Sequence, residues 1–195
     1  MRLFVAIDID DAVRQRITRY IEGVCGFAPE ARWVRPESLH VTLKFIGEKP
    51  PERMQEIEDA LASIRKNAVE LLFRGHGFFP TPKAPRVFWI GIECGPELPA
   101  LANAVDEAMS ALDIPKETHP YSPHLTLARG RGGSGAPRWR KGDRTNKDFQ
   151  HLMEKLSALP VPEFGAMTAR KFFLYESQLL RGGARYTKMA EFPLQ

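Results

Sequence analysis

The chain has 195 residues, 43% hydrophobic and 27% charged, with a formal net charge of +4. That balance excludes a disordered polyelectrolyte or a collagen-like repeat, and no stretch approaches the roughly 20 apolar residues of a membrane helix. A sequence pI near 9.2 permits a phosphate-bearing ligand without requiring one.

RLFVAIDI (2–9) is β-branched and aromatic, which predicts a strand. Val13, Ile17, Tyr20, Ile21 and Val24 then recur at helical spacing; Asp10 or Asp11 can cap this helix, and Gly23 or Gly26 can end it. ARWVRPESLHVTLKFIGE predicts a short strand, a proline turn and a strong strand over 39–46. A second amphipathic helix, PPERMQEIEDALASIRKNA, opens with prolines and acids and closes with Arg65 and Lys66, as the helix dipole favours. VELLFRGHGFFP and PRVFWIGIEC predict two strands, with His76 in a turn. GPELPALANAVDEAMSALDIP predicts a third helix, and YSPHLTLARG a strand preceded by Pro123. Residues 130–147, GRGGSGAPRWRKGDRTNK, lack apolar periodicity and predict a basic Gly/Arg-rich loop. DFQHLMEKLSALP predicts a fourth helix, and FGAMTARKFFLYESQLL and ARYTKMAEFPL two closing strands around the turn RGG.

Each half of this order holds two helices and one His-x-Thr-Leu sequence, at His40–Leu43 and His124–Leu127, 84 residues apart (124 − 40). The expected fold class is α+β, a pseudo-symmetric bilobal fold of two antiparallel sheets flanked by helices around a central cleft. Residues 1–195 then form a single domain of two lobes, each contributing one His-x-Thr strand.

Strand side chains alternate faces, so His40, Thr42 and Lys44 point one way and Val41, Leu43 and Phe45 the other, into a core. The same alternation groups His124 with Thr126 and puts Leu125 and Leu127 behind them. A lone His on a strand face is ordinarily a solvated side chain. Two at corresponding places can face each other across a cleft, one neutral and one protonated near pH 7. In-line displacement at phosphorus needs a base on the attacking side and an acid on the leaving side. The threonine hydroxyls can donate to the non-bridging oxygens. Neither motif carries the clustered carboxylates a metal site wants, so no metal or cofactor is expected. Cys25 and Cys94 lie outside metal spacings and read as free thiols. The apolar run of MRLFVAIDIDD is too short for a signal segment, so the expected location is cytoplasmic.

HVTLKFIG and HLTLAR resemble the paired signatures of the two-histidine (2H) phosphoesterase superfamily, and the chain resembles its RNA 2′,3′-cyclic phosphodiesterase (2′-5′ RNA ligase-like) family. RLFVAIDI, RWVRPESLHVTLKFIGE, PRVFWIGI and LYESQLLRGGARYTKMAEFPL extend the resemblance over nearly the whole chain. It implies hydrolysis of a 2′,3′-cyclic phosphate at an RNA or nucleotide end to a 2′-phosphate. His40 would be the proton donor to the leaving 3′ oxygen, His124 the proton acceptor from water, and Thr42 and Thr126 the phosphate holders. That split of roles comes from the family; symmetry alone allows the reverse. The family often uses the Arg of HLTLAR near the phosphate, but strict alternation puts Arg129 opposite His124 and Thr126 unless the strand twists, bulges or ends there.

The 130–147 loop departs from the family pattern. Its Arg131, Arg138, Arg140, Lys141, Arg144 and Lys147, with Trp139, could grip an RNA backbone or form a solvated insertion. His76, His119 and His151 read as structural or surface residues, and Trp33, Trp89 and Phe172 as core packing. Two alternatives keep the same site: 2′-5′ RNA ligation or hydrolysis of a small cyclic nucleotide. A third makes it a non-catalytic clamp for a nucleotide or RNA end. The oligomeric expectation is a monomer, with no membrane partner.

Overall fold

The computed structural model describes residues 1–131, 146–181 and 183–195. Its strands are β1 (Arg2–Asp8), β2 (Arg32–Trp33), β3 (His40–Glu48), β4 (Val69–Phe79), β5 (Val87–Cys94), β6 (His124–Arg129), β7 (Glu163–Ala169), β8 (Lys171–Leu180) and β9 (Gly183–Pro193). Its helices are α1 (Asp11–Val24), α2 (Met54–Ala62), α3 (Glu97–Ser110) and α4 (Lys147–Ser157). The strands form two antiparallel sheets, ordered β3-β1-β8-β9 and β2-β6-β5-β4-β7, giving the expected α+β class.

The helices form in the segments where the sequence predicts them. Asp10 caps α1 by accepting from the Val13 N–H at 2.8 Å, and α1 buries Val13, Ile17, Ile21 and Val24. Asn146 caps α4 in the same way through Phe149 N–H. α2 is shorter than its amphipathic pattern and ends at Ala62, where the Arg65 guanidinium still donates to the exposed Ala62 carbonyl. These apolar faces join the inner faces of both sheets in one core. It runs from Leu3, Val5 and Ile7 of β1 through Val41 and Leu43 of β3 to Leu125 and Leu127 of β6.

Two expectations are corrected. FGAMTARKFFLYESQLL is two strands: β7 joins one sheet beside β4, and after Arg170 β8 joins the other beside β1. An unbroken apolar pattern hides such a crossing, because both segments bury one face in the same core. His76 stands in β4 at a register shift, against the Phe88 ring, and not in a turn. The two sheets do not divide the chain into its two halves. The C-terminal β8 and β9 complete the sheet holding His40, and β4 and β5 the sheet holding His124.

Cys25 and Cys94 are free thiols. Among the described residues, no helix is long and apolar enough to cross a membrane.

Candidate active site

The two motif strands are built alike. β3 pairs with β1 through Asp8↔His40, Ile7↔Val41, Ala6↔Thr42, Val5↔Lys44 and Phe4↔Phe45. β6 pairs with β5 through Gly91↔His124, Ile90↔Leu125, Trp89↔Thr126, Phe88↔Ala128 and Val87↔Arg129. Both ladders skip the leucine of His-x-Thr-Leu: Leu43 in one and Leu127 in the other. An unpaired extra residue is a β-bulge, and it reverses the facing of everything after it.

That bulge corrects two readings and resolves a third. Lys44, expected beside His40 and Thr42, turns into the core and is 2% exposed; Phe45, expected inside, is 55% exposed on the cleft side. In the second strand the same bulge returns Arg129 to the face of His124 and Thr126. Arg129 therefore occupies the place that Phe45 holds in the first strand. Its charge reaches His40 across the cleft, and burial together with Arg32 and Arg2 pushes its own pKa down.

Each imidazole is tethered identically. His40 Nδ1 lies 2.7 Å from the Ser38 carbonyl and His124 Nδ1 lies 2.7 Å from the Ser122 carbonyl. A carbonyl only accepts, so Nδ1 carries the proton in both rings, and among the described residues neither Nε2 has a hydrogen-bond partner. Rings fix the imidazole planes. Phe4 packs on His40 at 4.9 Å between centroids and Tyr186 meets it edge-on at 5.2 Å, while Phe79 meets His124 edge-on at 5.0 Å. Trp89 also faces the cleft, 6.4 Å from His124, and is not core packing as its apolar context suggests. A Cβ at Gly77 would overlap its indole, so only glycine lets the ring lie there. Trp33 and Phe172 do pack on the core.

Burial depresses both histidines. His40 is held down to about 4, with Arg129 and His124 lowering it further and the Ser38 carbonyl and Asp8 raising it. His124 is lowered by burial and Arg129 against the Ser122 carbonyl. Asp8 lies across the ladder from His40; its carboxylate accepts from Arg14 at 2.6 Å and Lys188 at 2.5 Å, and these cations hold its pKa down against burial. The matching position across from His124 is Gly91.

The strands are coupled below the site. The Lys44 ammonium donates to Asp106 of α3 at 2.5 Å and to the Pro115 carbonyl at 2.9 Å, in the segment leading to β6. The Tyr121 hydroxyl donates to the Thr42 carbonyl at 2.9 Å. Thr42 and Thr126 are half-buried on the cleft face. The sequence reading missed Asp8, Phe4 and Tyr186. Only the ladder register gathers them, although the twin Ser-x-His-x-Thr-Leu spacing was visible as a signal. Of the basic loop, Arg131 pairs with Glu30 and Lys147 begins α4. Arg138, Trp139, Arg140, Lys141 and Arg144 lie outside the described residues. His119 is exposed, and His151 lies on α4.

The chain matches the family model described as LigT like Phosphoesterase over residues 7–89 and 91–186, each stretch containing one motif. It is 33% identical over 192 residues to an RNA 2′,3′-cyclic phosphodiesterase of Archaeoglobus fulgidus, covering 98% of this chain and 99% of that one. Identity is 31% over 196 residues to the protein of that name in Methanothermobacter thermautotrophicus, covering 100% of this chain and 99% of the other. Among solved structures, E. coli LigT complexed with 3′-AMP superposes with a TM-score of 0.76 at 26% identity, covering 99% of this chain and 97% of LigT.

Proposed function

The chain belongs to the LigT-like phosphoesterase family, and from that premise we propose that it hydrolyses a terminal 2′,3′-cyclic phosphate on RNA to a 2′-phosphate, by metal-independent acid–base catalysis between His40 and His124. The observation that carries this reading is the pair of identically tethered imidazoles with open Nε2 atoms, within electrostatic reach of each other.

His124 Nε2 accepts a proton from water as its oxygen attacks phosphorus. The P–O3′ bond breaks on the opposite side, and His40 Nε2–H gives its proton to the leaving 3′ oxygen. The two rings finish with their protonation exchanged, and solvent restores them. Thr42 and Thr126 hydroxyls donate to the non-bridging oxygens, and Arg129 balances the charge that develops there. Asp8 supports this direction. A carboxylate across from His40 raises that imidazole against the burial that holds it down to about 4, whereas Gly91 offers His124 no such help. The anionic substrate raises both histidines from their depressed values and so loads the acid on binding. The donors beside the histidines are aromatic rings, hydroxyls and an arginine, and the Asp8 carboxylate is already engaged by two cations. This set suits an oxyanion better than a metal ion. We take the chain as one unit of two lobes, acting as a monomer on RNA or nucleotide ends.

The test is hydrolysis of 2′,3′-cyclic AMP and of a short oligoribonucleotide ending in 2′,3′-cyclic phosphate, in EDTA, with products read by phosphorus NMR. A 2′-phosphate is expected. Activity lost in EDTA and restored by a divalent metal would overturn the mechanism. A 3′-phosphate would reassign the leaving oxygen, and binding without turnover at any pH from about 5 to 9 would make the site a clamp.

A further inference from the structure

Beyond the reacting phosphate, one end of the cleft concentrates positive charge. Along β1, alternation places Arg2 on the same face as Phe4, Ala6 and Asp8, the face that carries the site. β2 adds Arg32 directly opposite Arg129 in the ladder, while its neighbour Trp33 turns inward against Phe88. Arg32 and Arg129 therefore share the cleft face. The charges of Arg2 and Arg32 both reach Arg129.

Like charges directly opposite on a sheet repel, and a fold with no use for them would separate or neutralise them. Among the described residues they are left without a carboxylate partner. Neither Arg2 nor Arg32 makes an ion pair among the described residues. Among the described residues Arg32 donates to the Gly130 carbonyl, at 3.4 Å. Glu48, across the ladder from Arg2, lies 3.7 Å from the N-terminal ammonium instead. Nearby Arg131 does find a carboxylate, Glu30, so acids were available to this end of the molecule.

We propose that Arg2 and Arg32 form a second phosphate subsite, which holds the phosphodiester joining the terminal nucleotide to the rest of an RNA chain. This rests on the phosphodiesterase reading above and deepens it. Arg129 serves the reacting phosphate, and the two outer arginines serve the next one, so a polynucleotide end is preferred to a mononucleotide. Guanidinium groups suit the task because their planar donor fork grips two phosphate oxygens at once.

The experiment compares kcat/KM on 2′,3′-cyclic AMP and on a short oligoribonucleotide ending in 2′,3′-cyclic phosphate, for wild type, Arg2→Ala/Arg32→Ala and Arg2→Lys/Arg32→Lys, at two salt concentrations. The alanine pair is expected to lose about tenfold on the oligonucleotide, through KM, and to stay within about twofold on cyclic AMP. The salt dependence should flatten by one to two phosphate contacts, roughly 0.7 each in log–log slope. The lysine pair should recover part of the loss. Equal losses on both substrates, or no loss on either, would overturn the subsite. Should wild type turn over neither substrate, the phosphodiesterase reading fails. Fluorescence anisotropy of a 3′-phosphorylated oligonucleotide then tests the subsite alone: equal affinity for wild type and the alanine pair would overturn it.

Discussion

The half-site of β1 and β3 and the half-site of β5 and β6 share a backbone plan and differ in side chains at several matched positions. Each has a histidine tethered through Nδ1 to the carbonyl two residues earlier, a threonine two residues on, and a bulge at the following leucine. Three of these differences change charge. Across from the histidine stands Asp8 in one and Gly91 in the other. After the bulge, the core-facing residue is Lys44 in one and Ala128 in the other, and the cleft-facing residue Phe45 or Arg129. One backbone frame thus occurs twice, and these three differences give its two imidazoles unequal surroundings.

The largest expected effect breaks the symmetry outright. His40→Ala and His124→Ala should each lower kcat by about 10³-fold with the fold intact by circular dichroism. A cyclic substrate with sulfur in place of the bridging 3′ oxygen needs no proton on its leaving atom. It should rescue His40→Ala and not His124→Ala; rescue of His124→Ala alone would reverse the two roles.

Next come the positions after the bulge. Lys44→Ala strands Asp106 beside the core and should cost about 3 kcal/mol in denaturant unfolding, whereas Ala128→Gly should cost about 1 kcal/mol. Equal costs would show that the two strands are anchored alike.

Asp8→Asn sharpens the contrast across the ladder. With one negative charge removed near His40, kcat should fall about tenfold, and the pH limb belonging to His40 should move to lower pH. An unmoved limb would confine Asp8 to tying Arg14 and Lys188.

The smallest effect is on stability. Both folded histidines sit below the unfolded value near 6.5, so the unfolded chain binds their protons more tightly. Stability is therefore complete above about pH 6.5 and declines as pH falls toward about 4, the folded value of His40. Tm measured over that window should drop in wild type and drop less in His40→Asn.

Much of the site was legible in the sequence. Recurrent apolar spacing marked the four helices, and two copies of His-x-Thr-Leu marked the histidines and threonines, because alternation over three residues is dictated by the strand itself. Legibility stopped at the bulges. Nothing in KFIG or LARG says that Leu43 and Leu127 drop out of the ladder, so Lys44, Phe45 and Arg129 were each assigned to the wrong face or left undecided. Pairing register is a property of two strands far apart in sequence, and one strand read alone does not contain it. The same holds for Asp8, brought opposite His40 by the β1–β3 ladder, and for Arg32, brought opposite Arg129 by β2. The sequence by itself determined which residues are chemically capable and that they come in two sets. The tertiary structure decided which side of each sheet they occupy and which charges they meet, because a bulge shifts facing by one residue and a crossing such as that at Arg170 reassigns a strand to another sheet.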